Sequence, residues 1–203
     1  MSDLARQFGG IDIYLFDQFL RGRISPGMRV LDAGCGAGRN LVYLLRERYE
    51  IFAVDADPRA IEEVRRMAGT LAPQLPADNF RGECVERMSF VDGFADVVIS
   101  SAVLHFARDD AQFDAMLREM WRVLRPGGVF FCRLASTIGM EGRFAPLSGR
   151  RHRLLDGSER YLVDAAMLLG LTSELGGHLL DPLKTTVVEG QRAMTTWVVR
   201  KGR

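Results

Sequence analysis

The stretch VLDAGCGAG, residues 30–38, decides the fold of this chain. It belongs to a short apolar run that is typical of a buried strand, and its three glycines alternate at Gly34, Gly36 and Gly38. Leucines with helical spacing follow at positions 41, 44 and 45, so the sequence predicts a strand, a glycine loop and a helix in that order. Ligands bind at the carboxyl end of such a strand in open α/β sheets, and glycine lets the backbone approach a ligand closely because it has no Cβ. We therefore expect the loop to form the floor of a ligand site.

The same alternation of strand and helix continues along the chain. Strands are predicted over residues 28–32, 51–55, 79–84, 95–100 and 129–134. Asp57 and Pro58 have the character of an N-cap and a first-turn proline. Two runs rich in Thr and Val, 183–188 and 194–200, predict a C-terminal hairpin. The expected fold class is α/β: a Rossmann-like three-layer sandwich whose mostly parallel, seven-stranded sheet has an antiparallel C-terminal hairpin at its edge.

Three segments fall outside this alternation, within what we expect to be a single domain over residues 1–203. Residues 1–27 are predicted to form a helical flap; their aromatic residues either cover the ligand or pack a helix on the sheet. Residues 136–158 have no clear period, and a loop of that length is uncommon unless it has a function or is disordered. Because it leaves the fifth strand on the carboxyl side, we expect a substrate lid. A helix is predicted over residues 159–169.

The composition restricts the partners and the location. With 27 basic and 26 acidic residues the net charge is +1, which gives no reason to expect nucleic acid as a partner. The longest apolar stretch, residues 94–106, is too short and too polar to span a membrane, and residues 1–10 do not have the pattern of a secretory signal. The expected location is therefore the cytoplasm. Cys35, Cys84 and Cys132 are widely spaced and odd in number, which favours small buried residues over a disulfide framework or a metal site.

The residues around the glycine loop indicate the chemistry of its ligand. A dinucleotide-binding loop needs its third glycine three residues after the second, and Arg39 occupies that position here. Asp32, directly before the loop, is a poor neighbour for a diphosphate but a suitable one for an ammonium group. Asp55 ends the second strand, where a carboxylate can accept hydrogen bonds from both hydroxyls of a ribose; a surface acid is the alternative interpretation. We expect a nucleoside with a charged amino-acid tail, and S-adenosylmethionine fits that description.

Over roughly residues 28–135 the chain resembles the class I S-adenosylmethionine-dependent methyltransferases. Four motifs match in order: VLDAGCGAGRN (30–40), AVDAD (53–57), the segment from residue 82 through 90 into FADVVISSAVLH (94–105), and RVLRPGG (122–128). The loop GCGAGRN, followed by LVYLL, is also similar to that of tellurite-resistance methyltransferases, a more local likeness that does not select a substrate. The resemblance implies S-adenosyl-L-methionine as the cofactor.

The resemblance also implies roles for individual positions. Asp32 and the loop 34–38 would hold the methionine part of the cofactor, and Asp55 the ribose. The carbonyl of Ser100, at the end of the fourth strand, would face the methionine amino group. The full set of expected cofactor-binding residues is Asp32, Gly34, Cys35, Gly36, Gly38, Asn40, Asp55, Ala56, Val85, Glu86 and Ser100.

The adenine contacts follow from the same resemblance. Ala56 would lie against the adenine, and Val85 with Glu86 would contact the edge of its ring. This segment departs from the family pattern, because Glu83 and Cys84 stand where an aspartate is common. The departure leaves the adenine end the least defined part of the expected site.

His105 is the candidate catalytic residue, because it follows the fourth strand on the side where the methyl acceptor is expected. An imidazole titrates near neutral pH, so His105 could orient or deprotonate the acceptor; a structural histidine is the alternative. The basic cluster at residues 150–153 either holds an anionic substrate group through bidentate hydrogen bonds or forms a solvated basic loop.

Three functions are compatible with these residues. We favour a methyltransferase acting on a small-molecule acceptor by in-line transfer, because the sequence shows no separate domain or basic face for a macromolecule. A non-catalytic S-adenosylmethionine-binding module would keep the same loop without turning over an acceptor. A nicotinamide dehydrogenase is disfavoured by Arg39. We expect a monomer or homodimer that needs no metal.

Overall fold

The computed structural model describes residues 3–203, which fold around a central β-sheet. The strands are β1 (Arg29–Ala33), β2 (Glu50–Asp55), β3 (Phe80–Gly82), β4 (Ala95–Ser101), β5 (Leu124–Ser136), β6 (Ala145–Ser148), β7 (Arg151–Arg153), β8 (Glu159–Tyr161), β9 (Gly177–Leu179), β10 (Lys184–Val188) and β11 (Arg192–Lys201). The α-helices are α1 (Asp3–Phe8), α2 (Ile13–Leu20), α3 (Leu41–Arg46), α4 (Pro58–Leu71), α5 (Asp110–Val123) and α6 (Ala165–Glu174).

The central sheet has the order β10-β11-β5-β4-β1-β2-β3. The neighbours from β5 to β3 are parallel, whereas β11 is antiparallel to both β5 and β10. The expected Rossmann-like α/β fold with an antiparallel hairpin edge is therefore confirmed. One strand was missed, because β9 pairs with the end of β11 and gives the sheet an eighth strand. Its three residues are too few to show a period in the sequence.

Each face of the sheet is covered by its own apolar core. Neighbouring residues of a strand point to opposite faces, and in β1 Val30 packs into one core while Leu31 packs into the other. The helices α2, α3 and α4 contribute to the core on the Val30 side, and α5 and α6 to the core on the Leu31 side. Because both faces are buried, the edge at the carboxyl ends of the strands is left for a ligand.

The helices that frame this edge begin with side-chain caps. The carboxylate of Asp57 accepts a hydrogen bond from the backbone N–H of Arg59 at 2.9 Å, and Pro58 occupies the first position of α4, as predicted. In the same way Asp109 caps α5 by accepting a hydrogen bond from the N–H of Gln112. The caps fix where α4 and α5 start relative to the loops after β2 and β4.

Residues 136–158 contain more regular structure than the sequence predicts. The strands β6, β7 and β8 form a separate antiparallel sheet in the order β6-β7-β8, which we call the lid sheet. The helix predicted over residues 159–169 is wrong at its start, because residues 159–161 pair with β7 and α6 begins only after its N-cap, Asp164. Glu159 accepts hydrogen bonds from Arg151 and Arg153 across this pairing, which stabilises the strand form.

The N-terminal helices pack on the body of the domain. Phe8 and Phe16 contact the ring of Tyr43 in α3, with ring centroids 5.3 and 5.8 Å away. The hydroxyl of Tyr14 lies 2.6 Å from the hydroxyl of Thr186 in β10. These contacts favour the packing role of the aromatic residues over a flap. Within residues 3–203, the helices are all too short or too polar to cross a membrane.

Candidate functional site

A cavity of about 620 Å³ lies at the carboxyl ends of the parallel strands. Its volume is in the range of small-molecule and cofactor sites. Eight of the eleven expected cofactor-binding residues line it: Gly34, Cys35, Gly36, Asn40, Asp55, Ala56, Val85 and Glu86. The other three, Asp32, Gly38 and Ser100, belong to the strands and the loop behind it and do not line it. We call this space the cofactor cavity.

The first glycine of the loop is packed tightly against the opposite wall of the cavity. Gly34 has a φ of +80°, and its N–H donates a hydrogen bond to the carbonyl of Val54 at 2.8 Å. A Cβ added at Gly34 would lie 2.6 Å from a methyl carbon of Val103. Gly38 has a different task, because a Cβ there would meet Val64 of α4 at 3.0 Å. Gly34 thus shapes the cavity, whereas Gly38 permits helix packing behind it.

Asp55 ties the end of β2 to the glycine loop. Its Oδ2 accepts a hydrogen bond from the N–H of Gly36 at 2.8 Å, and its Oδ1 accepts one from the N–H of Asp57 at 2.9 Å. A carboxylate offers about four lone-pair sites, so each oxygen can still accept from a ligand hydroxyl. Asp55 is therefore placed both to order the loop and to bind a diol.

Asp32 is buried directly behind the loop. Its Oδ2 has no hydrogen-bond partner, and the side chain is 1% exposed. Burial raises the pKa of Asp32 to about 7; the positive charge of Arg39 opposes this effect and the negative charge of Asp55 adds to it. A buried, unsatisfied carboxylate is costly, so a cationic group in the neighbouring cavity would be stabilised by it and would stabilise it in turn.

We expect Asp32 to make the protein less stable as the pH rises from about 4 to 7. Its folded-state pKa lies above the ordinary value of 3.8, so over this interval the folded chain keeps a proton that the unfolded chain has released. The resulting stabilisation is complete below the unfolded pKa and is lost as the pH rises through the folded pKa, at about 1.4 kcal/mol per pH unit at most. Urea unfolding of the wild type and Asp32→Asn at about pH 5 and pH 8 measures it. Equal losses of stability in the two proteins would contradict the expectation.

The N-terminal segment is connected to the cofactor cavity through Asp12. The N–H of Asp12 donates to Oδ1 of Asn40 at 3.0 Å, so the side chain of Asn40 is held by the chain before α2. The carboxylate of Asp12 is 1% exposed and accepts hydrogen bonds from the N–H of Tyr14 and from Nη1 of Arg133 at 2.9 Å each. One buried acid thereby links α2, the glycine loop and β5.

The adenine end of the expected site is lined by apolar, acidic and thiol side chains. Val85 is buried, and Glu86 accepts a hydrogen bond from the side-chain amide of Gln112 in α5. Cys84 is an exposed free thiol at this wall, which corrects the expectation of a small buried residue. The departure from the family pattern at Glu83 has a local structural role, because its carboxylate accepts hydrogen bonds from the N–H and the hydroxyl of Ser89.

His105 lies outside the cofactor cavity and lines a second one of about 330 Å³, which shares Arg39 and Ala102 with the first. Its Nδ1 accepts a hydrogen bond from the N–H of Ala135 at 3.1 Å. Burial, with a smaller effect from the charge of Arg160, lowers the pKa of His105 to about 4. A neutral imidazole that accepts at Nδ1 carries its proton on Nε2, where it can donate a hydrogen bond. The geometry favours the orienting role of His105 over that of a general base.

Several lining residues were missed by sequence reasoning. Gln112 and Met116 come from α5, where the sequence signal is only the apolar period of a helix that packs on the sheet. Arg39 was noted only as a substitute for glycine, yet its Nη2 donates to the hydroxyl of Ser101 at 2.9 Å across the cavity. The remaining missed positions in the cofactor cavity are Cys84, Ser101, Ala102, Val103 and Phe106, whereas Ala37 belongs to the loop 34–38 that was expected to hold the cofactor. Residues 3–203 bring together no group of three His, Cys, Asp or Glu side chains able to hold a metal ion.

The part of the chain that contains the glycine loop matches a known protein family. Residues 31–132 match the model of a methyltransferase domain. An uncharacterised methyltransferase of Synechocystis is 34% identical over 107 residues, which cover 53% of this chain and 47% of that protein. A malonyl-[acyl-carrier protein] O-methyltransferase of Enterobacter lignolyticus is 34% identical over 169 residues, covering 82% of this chain and 61% of the relative. The chain spans about half the length of most of the curated relatives it matches.

Solved structures show the same fold at lower identity. The 1,6-didemethyltoxoflavin-N1-methyltransferase of Burkholderia thailandensis, solved with 1,6-didemethyltoxoflavin and S-adenosylhomocysteine bound, superposes with a TM-score of 0.70 at 18% identity. The superposition covers 99% of this chain and 82% of that one. The two chains therefore share the arrangement of strands and helices that carries the cofactor cavity.

Proposed function

Because this chain belongs to the class I S-adenosylmethionine-dependent methyltransferases, we propose that it transfers a methyl group from that cofactor to a small-molecule acceptor. The observation that carries the proposal is the convergence of eight expected cofactor residues on one cavity of about 620 Å³. The Burkholderia thailandensis structure, which holds 1,6-didemethyltoxoflavin and S-adenosylhomocysteine, supports a small molecule as the class of acceptor. The likeness to tellurite-resistance methyltransferases stays a prediction.

The residues present fit S-adenosylmethionine, the cofactor of this family. The unpartnered, buried Oδ2 of Asp32 favours a cation next to the loop, which the ammonium group of the methionine part would supply. Asp55 has acceptor capacity left for the ribose hydroxyls, and Val85 offers an apolar side chain to the adenine. A diphosphate next to the glycine loop would lie close to the buried carboxylate of Asp32, which is the physical argument against a nicotinamide cofactor.

The chain's own residues contribute mainly by positioning. When bound, S-adenosylmethionine supplies a methyl group that its sulfonium already activates. The protein then has to hold the acceptor in line with that group and exclude water, and such positioning can lower the barrier by several kcal/mol. Ala102, which lies between the two cavities, has a φ of +64°; a non-glycine residue in this region is a strained position of the kind found at binding sites. The lid role proposed for residues 136–158 is supported by Leu154, Asp156 and Ser158, which line the cavity of His105.

We expect S-adenosylmethionine and S-adenosylhomocysteine to bind, and NAD to give no measurable heat, in calorimetric titrations of the purified chain. A labelled-methyl transfer screen against fractionated small-molecule extracts then tests turnover. Tight binding of NAD without a response to either sulfur ligand would overturn the assignment. Cofactor binding with no product in any fraction would instead indicate the alternative, a non-catalytic binding module.

A further inference from the structure

The cavity that contains His105 is separated from the cofactor cavity only by a shared wall. Arg39 and Ala102 line both spaces, so a molecule in the second cavity lies next to whatever occupies the first. The second cavity is enclosed by the ends of β4 and β5, the lid sheet and the hairpin of β10 and β11. On the proposed function, this is the space where the methyl acceptor would sit, and we call it the acceptor cavity.

The acceptor cavity carries an excess of positive charge. Four arginines line it, namely Arg39, Arg133, Arg160 and Arg192, whereas Asp156 is the single carboxylate among its lining residues within the described chain. Asp156 is already engaged, since it accepts hydrogen bonds from both the N–H and the hydroxyl of Ser158. These bonds lower the pKa of Asp156, and the charges of Arg160 and Arg192 add to the effect. Asp12, which does not line the cavity, lies 2.9 Å from Arg133 and 3.8 Å from Arg39, so the excess positive charge belongs to Arg160 and Arg192.

The arginines differ in how many hydrogen bonds and ion pairs their guanidinium groups form with the rest of the protein. Arg133 pairs with Asp12 through Nη1, but its Nε is buried and has no hydrogen-bond partner. Arg160 donates only to the backbone carbonyl of Glu159, and within residues 3–203 neither it nor Arg192 has a carboxylate at ion-pair distance. Free guanidinium donors around a concave space are the chemistry that binds carboxylates and phosphates.

Arg160 also lies at the junction of the two cavities. Its Cζ is 4.7 Å from the centre of the Phe106 ring, and Phe106 lines the cofactor cavity. This contact leaves the guanidinium half-buried beside His105, whose Nε2–H is a further donor. Arg192 is exposed at the rim. An anion held here would meet donors from β5, the lid sheet and β11 together.

The basic cluster at residues 150–153 has a different role. Arg150 pairs with Asp164 at 2.8 Å, and Arg151 and Arg153 pair with the two oxygens of Glu159 at 3.0 and 2.9 Å. Each of these three guanidinium groups therefore has a carboxylate partner in the lid sheet or at its junction with α6. Of the arginines in the lid sheet and around the acceptor cavity, Arg160 and Arg192 are left to recognise an anion.

We infer that the acceptor cavity binds a methyl acceptor that carries a carboxylate or phosphate group, with Arg160 and Arg192 as the residues that recognise it. The inference rests on the proposed function for the identity of the bound molecule as an acceptor. The recognition itself depends only on the donors described above. A neutral acceptor would leave these guanidinium groups without a partner, so selectivity for anions is the expected property.

The test uses the full chain saturated with S-adenosylhomocysteine and two matched pairs of probes. Benzoate is compared with benzamide, and phenyl phosphate with phenol, so that each pair differs in the anionic group. Proton–nitrogen NMR spectra follow the Nε–H signals of Arg160 and Arg192, assigned by substitution. We expect saturable shifts with the anions only, and a loss of affinity of about tenfold or more in Arg160→Gln, the scale of one charge-assisted hydrogen bond. Stronger binding of benzoate would assign a carboxylate acceptor, and stronger binding of phenyl phosphate a phosphate acceptor.

The controls separate this inference from the proposed function. Arg153→Gln removes an arginine of the same lid sheet that is paired with Glu159 and does not line the cavity, so the affinity for the anions should not change. S-adenosylhomocysteine affinity is measured first in every variant. If the wild type does not bind S-adenosylhomocysteine, the proposed function fails; if it binds but the anions shift no cavity signal, or the neutral probes shift the same signals, only the present inference is overturned.

Discussion

Replacement of Gly34 by alanine is expected to lower the affinity for S-adenosylhomocysteine by about a hundredfold. An alanine at this position has to keep a φ of +80° while its Cβ lies 2.6 Å from Val103. The left-handed backbone costs about 1–2 kcal/mol and overpacking typically another 1–3 kcal/mol. The loop can release this strain only by moving away from Val103, which changes the floor of the cofactor cavity. Calorimetric titration of the variant measures the loss.

Gly22→Ala provides a matched control for this prediction. Gly22 has a similar φ of +66°, but a Cβ there would contact nothing within 4 Å, and the residue does not line the cofactor cavity. This variant should lose about 1–2 kcal/mol of stability from the left-handed backbone, with no change in affinity. If Gly34→Ala binds S-adenosylhomocysteine as tightly as Gly22→Ala does, the close packing of the loop is not what shapes the cavity.

The second large effect is expected for Asp55→Ala, which should weaken S-adenosylhomocysteine binding at least about tenfold. The substitution removes the proposed acceptor for the ribose hydroxyls and also the bonds that Asp55 accepts from the N–H groups of Gly36 and Asp57. Asp55→Asn keeps one acceptor oxygen, so its affinity should fall between those of the wild type and the alanine variant.

Asp57→Ala is the control for Asp55, two residues away. The carboxylate of Asp57 caps α4 at the N–H of Arg59 and does not line the cofactor cavity. Its loss should cost about 1 kcal/mol of stability through the cap and leave the affinity unchanged. Equal affinities of the two alanine variants would remove Asp55 from the binding residues and leave only its structural role.

The parts of the fold that are determined by a few adjacent residues could be predicted from the sequence. The β1 strand, the glycine loop and the cap at Asp57 each occupy a few adjacent residues whose chemistry requires that structure. The lid sheet escaped prediction for a physical reason: all four residues of β6 are exposed, so its side chains carry no alternation of polar and apolar residues. Such a strand is stabilised by backbone hydrogen bonds to its neighbour, and the local sequence does not indicate which segment that neighbour is.

The same distinction applies to the two cavities. The cofactor cavity is built mostly from the residues that directly follow strands, and parallel strands bring these together by topology. Arg160 and Arg192, in contrast, are 32 residues apart on β8 and the start of β11, and only the tertiary structure shows that they face one space. The sequence predicts that Asp32 lies near the loop. Its burial, and therefore its raised pKa, could not be predicted because they depend on the residues that pack around it in the tertiary structure.

The position of Asp12 has a practical consequence for anyone who wishes to redesign the specificity of this domain. Asp12 lines neither cavity, yet its backbone holds Asn40 in the cofactor cavity and its carboxylate orients Arg133 in the acceptor cavity. A mutant library restricted to cavity-lining positions would omit it. Substitutions at Asp12 or in the turn before α2 would change both cavities together, so this segment is where an engineer could adjust the two ligands' affinities at once.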